Sequence, residues 1–211
     1  SQKVSIWIRG NFFIPDARCF WIKPSIKFLI EEIRRNPVDA IISTGTPHSM
    51  HLIALGLKER LHLPWLADFR DPWTNIDFYD QLMLTKWADA RHHKLESKVL
   101  TSADKVTTVS WHWAEELGRI GNRHVDVITN GYDEEDYQGK EVKVDPKFSI
   151  SHIGLLRAER TMTAFWSALQ DLCIEIPSFK EDLVIRLVGK VDYAVFEEIE
   201  RFGLTSHLDH I

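Results

Sequence analysis

The most constraining feature of this 211-residue chain is a rhythm: short β-branched runs that end in Ser, Thr, Asn or Gly, each followed by a longer run with helical spacing. The strand-like runs are DAIISTG (39–45), PWLADF (64–69), ADKVTTVS (103–110), HVDVITNG (124–131), FSISHIG (148–154) and LVIRLVG (183–189). Between them fall helical segments at 22–35, 47–61, 84–102, 110–119, 159–176 and 192–203, with apolar residues at three-to-four spacing, as in Leu52, Leu55, Leu57 and Leu61. Strand then helix, repeated, dictates parallel strands joined by crossover helices, the doubly wound α/β class. In that class ligands gather beyond the carboxyl ends of the strands. The polar strand ends STGTPHS, DFRDPW, SWHW, TNGYD and GLLRAER are therefore the candidate site.

Composition excludes several functions. No segment has the roughly 18 to 20 uninterrupted apolar residues of a membrane helix. The net charge of −5 gives no basic field for nucleic acid, so no nucleic-acid partner is expected. Cys19 and Cys173 form no disulfide framework, and the first residues show no secretory h-region, so the expected compartment is the cytoplasm. No GxGxxG or Walker A pattern occurs, which removes the best support for dehydrogenase and P-loop readings. The first 24 residues read as one short strand-like run and then an irregular aromatic-rich segment.

A composition shift divides the chain. YDEEDYQGKEVKVDPK has no apolar period and carries the turn residues Gly139 and Pro146. The expected organisation is a partial Rossmann-like domain over 1–138, a linker over 139–147 and an incomplete second domain over 148–211, with SHLDHI opening another strand.

The succession DAIISTGTPHSMHLIALGLKERLHLPWLADFRDPW, ADKVTTVS, VDVITNGYDEEDY and FSISHIGLLRAERT resembles the middle of a family-4 retaining glycosyltransferase of the two-domain GT-B fold, over about residues 36–203. NFFIPDARCFW is similar to a segment that certain bacterial members carry. The resemblance implies transfer of a hexosyl or similar group from a UDP- or GDP-sugar co-substrate to a glycan or lipid-linked acceptor in surface polysaccharide synthesis. It implies no required cofactor or catalytic metal, an acceptor-side first domain and a donor-side second one, and a cytoplasmic location with peripheral association at the inner membrane face. A chain of this extent is not expected to catalyse transfer alone.

Site residues follow position by position. The resemblance puts Asn130 and Gly131 in a turn near the donor, Gly131 allowing a positive φ; a purely structural turn is the alternative. It puts Gly154, Arg157 and Arg160 at the donor pyrophosphate, through close backbone approach, the start of a following helix and guanidinium forks. Leu155 and Arg160 depart from the family's Arg and Lys there, and solvated charge is the alternative. Asp68, Arg70 and Asp71 end the second strand and are the candidate catalytic set: a carboxylate to orient an acceptor hydroxyl or take its proton, a guanidinium to steady negative charge. The alternative is an Asp–Arg ion pair bracing the loop, with Asp68 capping the turn. Thr44, Gly45, His48, Ser49 and Trp73 are candidate acceptor contacts, with Thr46 as N-cap and Pro47 as the first helical residue.

His48 and His51 share a helical face but lack further ligands for a metal. His92 and His93 read as a solvated helix face. Among the tryptophans, Trp87 and Trp166 read as core, whereas Trp111 and Trp113 remain possible sugar contacts. Two other classes stay open: a GT-B nucleotide-sugar 2-epimerase, and a non-catalytic sugar- or protein-binding module.

Overall fold

The computed structural model describes residues 2–138 and 143–211. It divides into two compact units, Ser1–Asp133 and Glu134–Ile211. Of the segment expected to be a linker, residues 139–142, including Gly139, lie outside the described residues.

The first unit opens with α1 (Gln2–Phe12) and α2 (Ile22–Arg35) and continues as β1 (Ile41–Gly45), α3 (Ser49–Leu61), β2 (Trp65–Phe69), α4 (Lys86–Ser102), β3 (Lys105–Thr108), α5 (Trp111–Gly121) and β4 (Asp126–Val127). The strands form one parallel sheet in the order β1-β2-β3-β4. Alternation sorts their side chains by face. Trp65, Ala67 and Phe69 of β2 and Val106 of β3 are buried with Leu55, Val99 and Leu117 of the helices, whereas Ile42 is 74% exposed on the other face of β1.

The helix at the chain's start corrects the strand-like reading of that segment. The alternation in Val4, Ile6 and Ile8 imitates a strand, yet the half-buried and buried positions Ile6, Gly10 and Phe13 recur at three-to-four spacing. A Cβ on Gly10 would lie 2.8 Å from Leu84 Cδ2 and 2.9 Å from the Leu82 carbonyl, so the helix packs tightly on the segment before α4. Asn11 fixes that contact. Its amide donates to the Met83 carbonyl at 3.2 Å, and its oxygen accepts from the Thr85 amide at 2.7 Å.

The second unit holds β5 (Phe148–Ile153), α6 (Thr163–Glu175), α7 (Pro177–Asp182), β6 (Leu183–Val188), α8 (Tyr193–Arg201) and β7 (Leu208–His210), its strands parallel in the order β5-β6-β7. Trp166, Leu169, Ile185, Leu187, Val195 and Ile199 fill its core. Arg186 of β6 ties the unit together by pairing with Asp145 at 2.7 Å and with Asp209 of β7 at 2.8 Å. Two parallel sheets with crossover helices make the α/β class that the strand-helix rhythm implied.

Candidate functional site

In the first unit the carboxyl ends of β1 and β2 lie side by side, with Thr44 opposite Asp68 and Asp68 opposite Thr107 of β3. That register puts the three side chains in one row across the sheet. Thr44 Oγ1 donates to Asp68 Oδ2 at 2.9 Å, and Thr107 Oγ1 donates to Asp68 Oδ1 at 2.8 Å. Asp68 is thus a brace between three strands rather than the cap of a turn. One step further out, Thr46 Oγ1 donates to Asp71 Oδ2 at 3.1 Å. The two carboxylates are held by threonines and not by Arg70, which is exposed. An Asp–Arg brace is therefore not what the loop uses.

The helix that follows β1 starts later than its local sequence implies. Its first residue is Ser49, with His48 at the N-cap position making no side-chain cap bond. Thr46 is engaged with Asp71, and the cap comes from a distant residue: Asp16 accepts from the Ser49 amide at 2.8 Å. A tertiary carboxylate has displaced the local threonine, and it also complements the positive end of the helix. The chain from Gly45 to Pro47 bends through cis peptide bonds. A Cβ on Gly45 would sit 2.6 Å from His51 Nε2 and 3.1 Å from His48 Nδ1, so only glycine lets the strand end pass both imidazoles.

These imidazoles are buried and neutral. His48 stacks on Trp73 with ring centroids 4.6 Å apart and planes 2° from parallel, and burial pulls its pKa down to about 4. His51 is likewise lowered by burial, to about 3, and its Nδ1 lies 2.8 Å from the Ser43 hydroxyl, which accepts from Trp65 Nε1 at 2.8 Å. Trp73 Nε1 donates to His92 Nδ1 at 3.1 Å, which leaves the ring proton of neutral His92 on Nε2. His48 Nδ1, His51 Nε2 and His92 Nε2 are buried without a hydrogen-bond partner.

One turn along α4 from His92, the fully buried Glu96 accepts from Thr74 Oγ1 at 2.5 Å and from the Thr74 amide at 3.4 Å; burial raises its pKa. His92 and Glu96 together clamp the Trp73–Thr74 loop. This corrects the solvated reading of His92: it is 3% exposed, and only His93 faces water. Beside the clamp lies a cavity of about 370 Å3 between α1, the Trp73 loop and the segment before α4. No group of three or more His, Cys, Asp or Glu side chains able to hold a metal occurs among the described residues.

The family described as Glycosyltransferase Family 4 matches residues 3–136, well over half of the chain and all of the elements that build this site. The chain belongs to glycosyltransferase family 4. No curated protein matches it. Among solved structures, a co-structure of S. aureus MnaA with UDP is similar at 13% identity and a TM-score of 0.38, over 90% of this chain and 51% of that one. The chain thus spans about half the length of that structure.

For a family-4 glycosyltransferase, the residues gathered at one place are Thr44, Gly45, His48, Ser49, Asp68, Asp71 and Trp73, all in the first unit. Asn130 and Gly131 follow β4 as exposed chain. The expected positive φ at Gly131 is absent: the glycines with positive φ among the described residues are Gly154, Gly189 and Gly203, and a Cβ on Gly131 would meet nothing within 4 Å. In the second unit Gly154 does turn the chain, at φ 127°, its carbonyl so close to Gly189 that a Cβ there would approach it to 2.8 Å. No α-helix starts directly after it. Arg157 precedes a single 3-10 turn, Ala158–Arg160, and α6 begins only at Thr163, which corrects the expectation of a helix N-terminus at the Gly154 turn.

Two tryptophans also divide differently from expectation. Trp87 is 65% exposed rather than core, because the inward stripe of α4 is Ala88, His92, Glu96 and Val99. Trp166 is buried, Trp111 is exposed in the first turn of α5, and Trp113 is half-buried with its amide capped by Ser110. The residues sequence reasoning missed are Asp16, His92, Glu96 and Thr107. A usable signal existed for two of them, since His92 and Glu96 interrupt an apolar stripe at helical spacing.

Proposed function

We propose that this chain forms part of a retaining glycosyltransferase that moves a hexosyl or similar group from a UDP- or GDP-sugar to a glycan or lipid-linked acceptor in bacterial surface polysaccharide synthesis. The observation that carries the reading is the pair of threonine-held carboxylates, Asp68 and Asp71, at the carboxyl ends of two parallel strands beside the stacked His48–Trp73 pair. Both oxygens of Asp68 are occupied by hydroxyls of neighbouring strands, so Asp68 positions the strand ends. Asp71 keeps its second oxygen for an acceptor hydroxyl, whose proton it can orient or accept. Neutral His48, stacked on Trp73, lines the same place without adding charge at pH 7.

The domain roles are part of the same proposal: residues 1–138 serve the acceptor, 139–147 link, and 148–211 serve the donor. There Gly154, with open space where a Cβ would stand, gives the donor diphosphate close backbone approach. Arg157 and Arg160 supply positive charge to the leaving group, without a metal. Asn130 and Gly131, after β4 of the first unit, are assigned to donor binding in the same proposal.

We place the protein in the cytoplasm, peripheral on the inner membrane face. No helix among the described residues is long and apolar enough to cross a membrane. Support for a peripheral contact comes from the exposed Trp7, Phe12, Phe20, Trp21 and Phe28, interspersed with exposed Lys3, Arg9, Arg18, Lys23 and Lys27 in a chain of net charge −5.

The test is a transfer assay on the native protein with Asp71→Asn. Loss of a positioned base costs on the order of 10²- to 10⁴-fold in kcat with little change in donor binding. An Asp71→Asn variant of undiminished kcat would remove Asp71 from the chemistry.

A further inference from the structure

The cavity beside the carboxylates has a composition that selects its occupant. Its walls are mainly apolar, lined by Ile6 of α1, by Phe13 just after it, and by Trp73, Ile76, Phe78 and Leu82. Its polar groups are few, and most are already engaged. The Thr46 hydroxyl is given to Asp71, the Tyr79 hydroxyl to Asp89 at 3.0 Å, and the two Asp16 oxygens accept from the amides of Arg18 and Ser49. What remains in the wall is the exposed Arg9, because the unpartnered His48 Nδ1 and His92 Nε2 are buried behind its surface.

A sugar ring buried there would bring more hydroxyls than these groups can satisfy, and each unsatisfied one would be penalised. A hydrocarbon or aryl group needs no partner. The volume of about 370 Å3 lies within the range of small-molecule pockets, about 300–1,000 Å3. The cavity is also preformed, because Asn11 bonds α1 to the segment that forms its far wall and Gly10 allows no looser packing. Thr46 connects it to the chemistry, since this one residue lines the cavity and bonds Asp71.

We propose that the cavity receives the hydrocarbon or aryl group of an amphiphilic acceptor whose hydroxyl lies beside Asp71, so that the acceptor is a glycolipid-like molecule and not a free oligosaccharide. This rests on the acceptor-site reading of Asp71 and narrows its substrate class. It also gives α1 a double role: its inner face closes the cavity, while Trp7 and Phe12 on its outer face are exposed.

The experiment is calorimetric titration of the native protein with n-octyl β-D-glucopyranoside below its micellar concentration, and in parallel with methyl β-D-glucopyranoside. Burial of the alkyl chain predicts saturable one-site binding of the octyl compound at least about 100-fold tighter than the methyl compound. Ile6→Trp, which narrows the cavity from the α1 side, should weaken octyl binding about 10-fold or more with an unchanged far-UV spectrum. Should that variant fail to fold, Phe78→Ser, at a half-exposed wall position, should weaken it about 5-fold or more. Equal affinity for the two glucosides, octyl binding indifferent to the substitution that folds, or no binding of either compound would each overturn the inference. Transfer that needs Asp71 but ignores the aglycone would also overturn it while leaving the acceptor-site reading intact. Transfer that ignores Asp71 would remove that reading itself.

Discussion

Acidification should unfold the first unit from its buried imidazoles. A free histidine titrates near pH 6.5, but burial holds His48 to about 4 and His51 to about 3. Their contribution is complete above the unfolded pKa, where both states are neutral. As pH falls below it the unfolded chain gains protons that the folded chain refuses, so stability drops until the folded pKa is reached. At 1.36 kcal/mol per unit over roughly 1.5 units, moving from pH 7 to pH 5 removes about 2 kcal/mol per histidine, about 4 for the pair. His92, lowered by burial, acts in the same direction; Glu96, raised by burial, acts in the opposite one. The substitution His48→Phe isolates one contribution, because phenylalanine keeps a ring stacked on Trp73 and removes the titrating group. Urea unfolding of wild type and variant at pH 7 and pH 5, followed by tryptophan fluorescence and far-UV circular dichroism, should show the pH-dependent loss reduced by about 2 kcal/mol in the variant. The same loss in both proteins, to within about 0.5 kcal/mol, would refute the burial of a neutral His48.

Further perturbations target the other supports of the site. Glu96→Ala strands the buried Thr74 hydroxyl and amide and should destabilise by about 3–5 kcal/mol, whereas Glu96→Gln should cost about 1 kcal/mol or less and flatten the loss of stability as pH rises through the folded Glu96 pKa; chemical unfolding across pH measures both. Gly45→Ala forces a methyl against two buried imidazoles and should cost about 1–3 kcal/mol in the same assay, with no gain from reduced backbone freedom. Asp68→Asn keeps only part of the bracing between β1, β2 and β3, and should lower thermal stability by about 1–2 kcal/mol while leaving the cavity's affinity for octyl glucoside within about 2-fold.

The strands were legible because each is a β-branched run closed by a polar or glycine stop: β1, β2, β5 and β6 fall inside the segments their patterns mark. Helices α2 to α5 were legible from their spacing: α2 has the expected bounds, α3 and α4 start two residues later, and α5 starts one residue later and runs on to Gly121. Where local pattern failed, a distant residue had taken over. Thr46 would cap α3 in isolation, but Asp16 reaches the Ser49 amide and frees Thr46 for Asp71. His92 looks solvated as one of a His pair, and becomes core because Trp73 supplies a donor from 19 residues away in the chain. Helix α1 was hidden by residues that alternate over a few positions while the three-to-four repeat runs longer. The strand ends that hold Asp68, Asp71 and Trp73 could be read from sequence; the threonines and the α4 clamp that fix them could not, since their partners are set by sheet register and tertiary packing.

Acceptor dependence tests the central claim most directly. Incubation of the native protein with a UDP- or GDP-sugar, with and without an alkyl glycoside acceptor, followed by proton NMR of the products, reads out both group transfer and anomeric configuration. The account predicts a new glycosidic bond of retained configuration that forms only when acceptor is present. An epimerised sugar nucleotide formed without any acceptor would contradict it and assign the site to isomerisation instead.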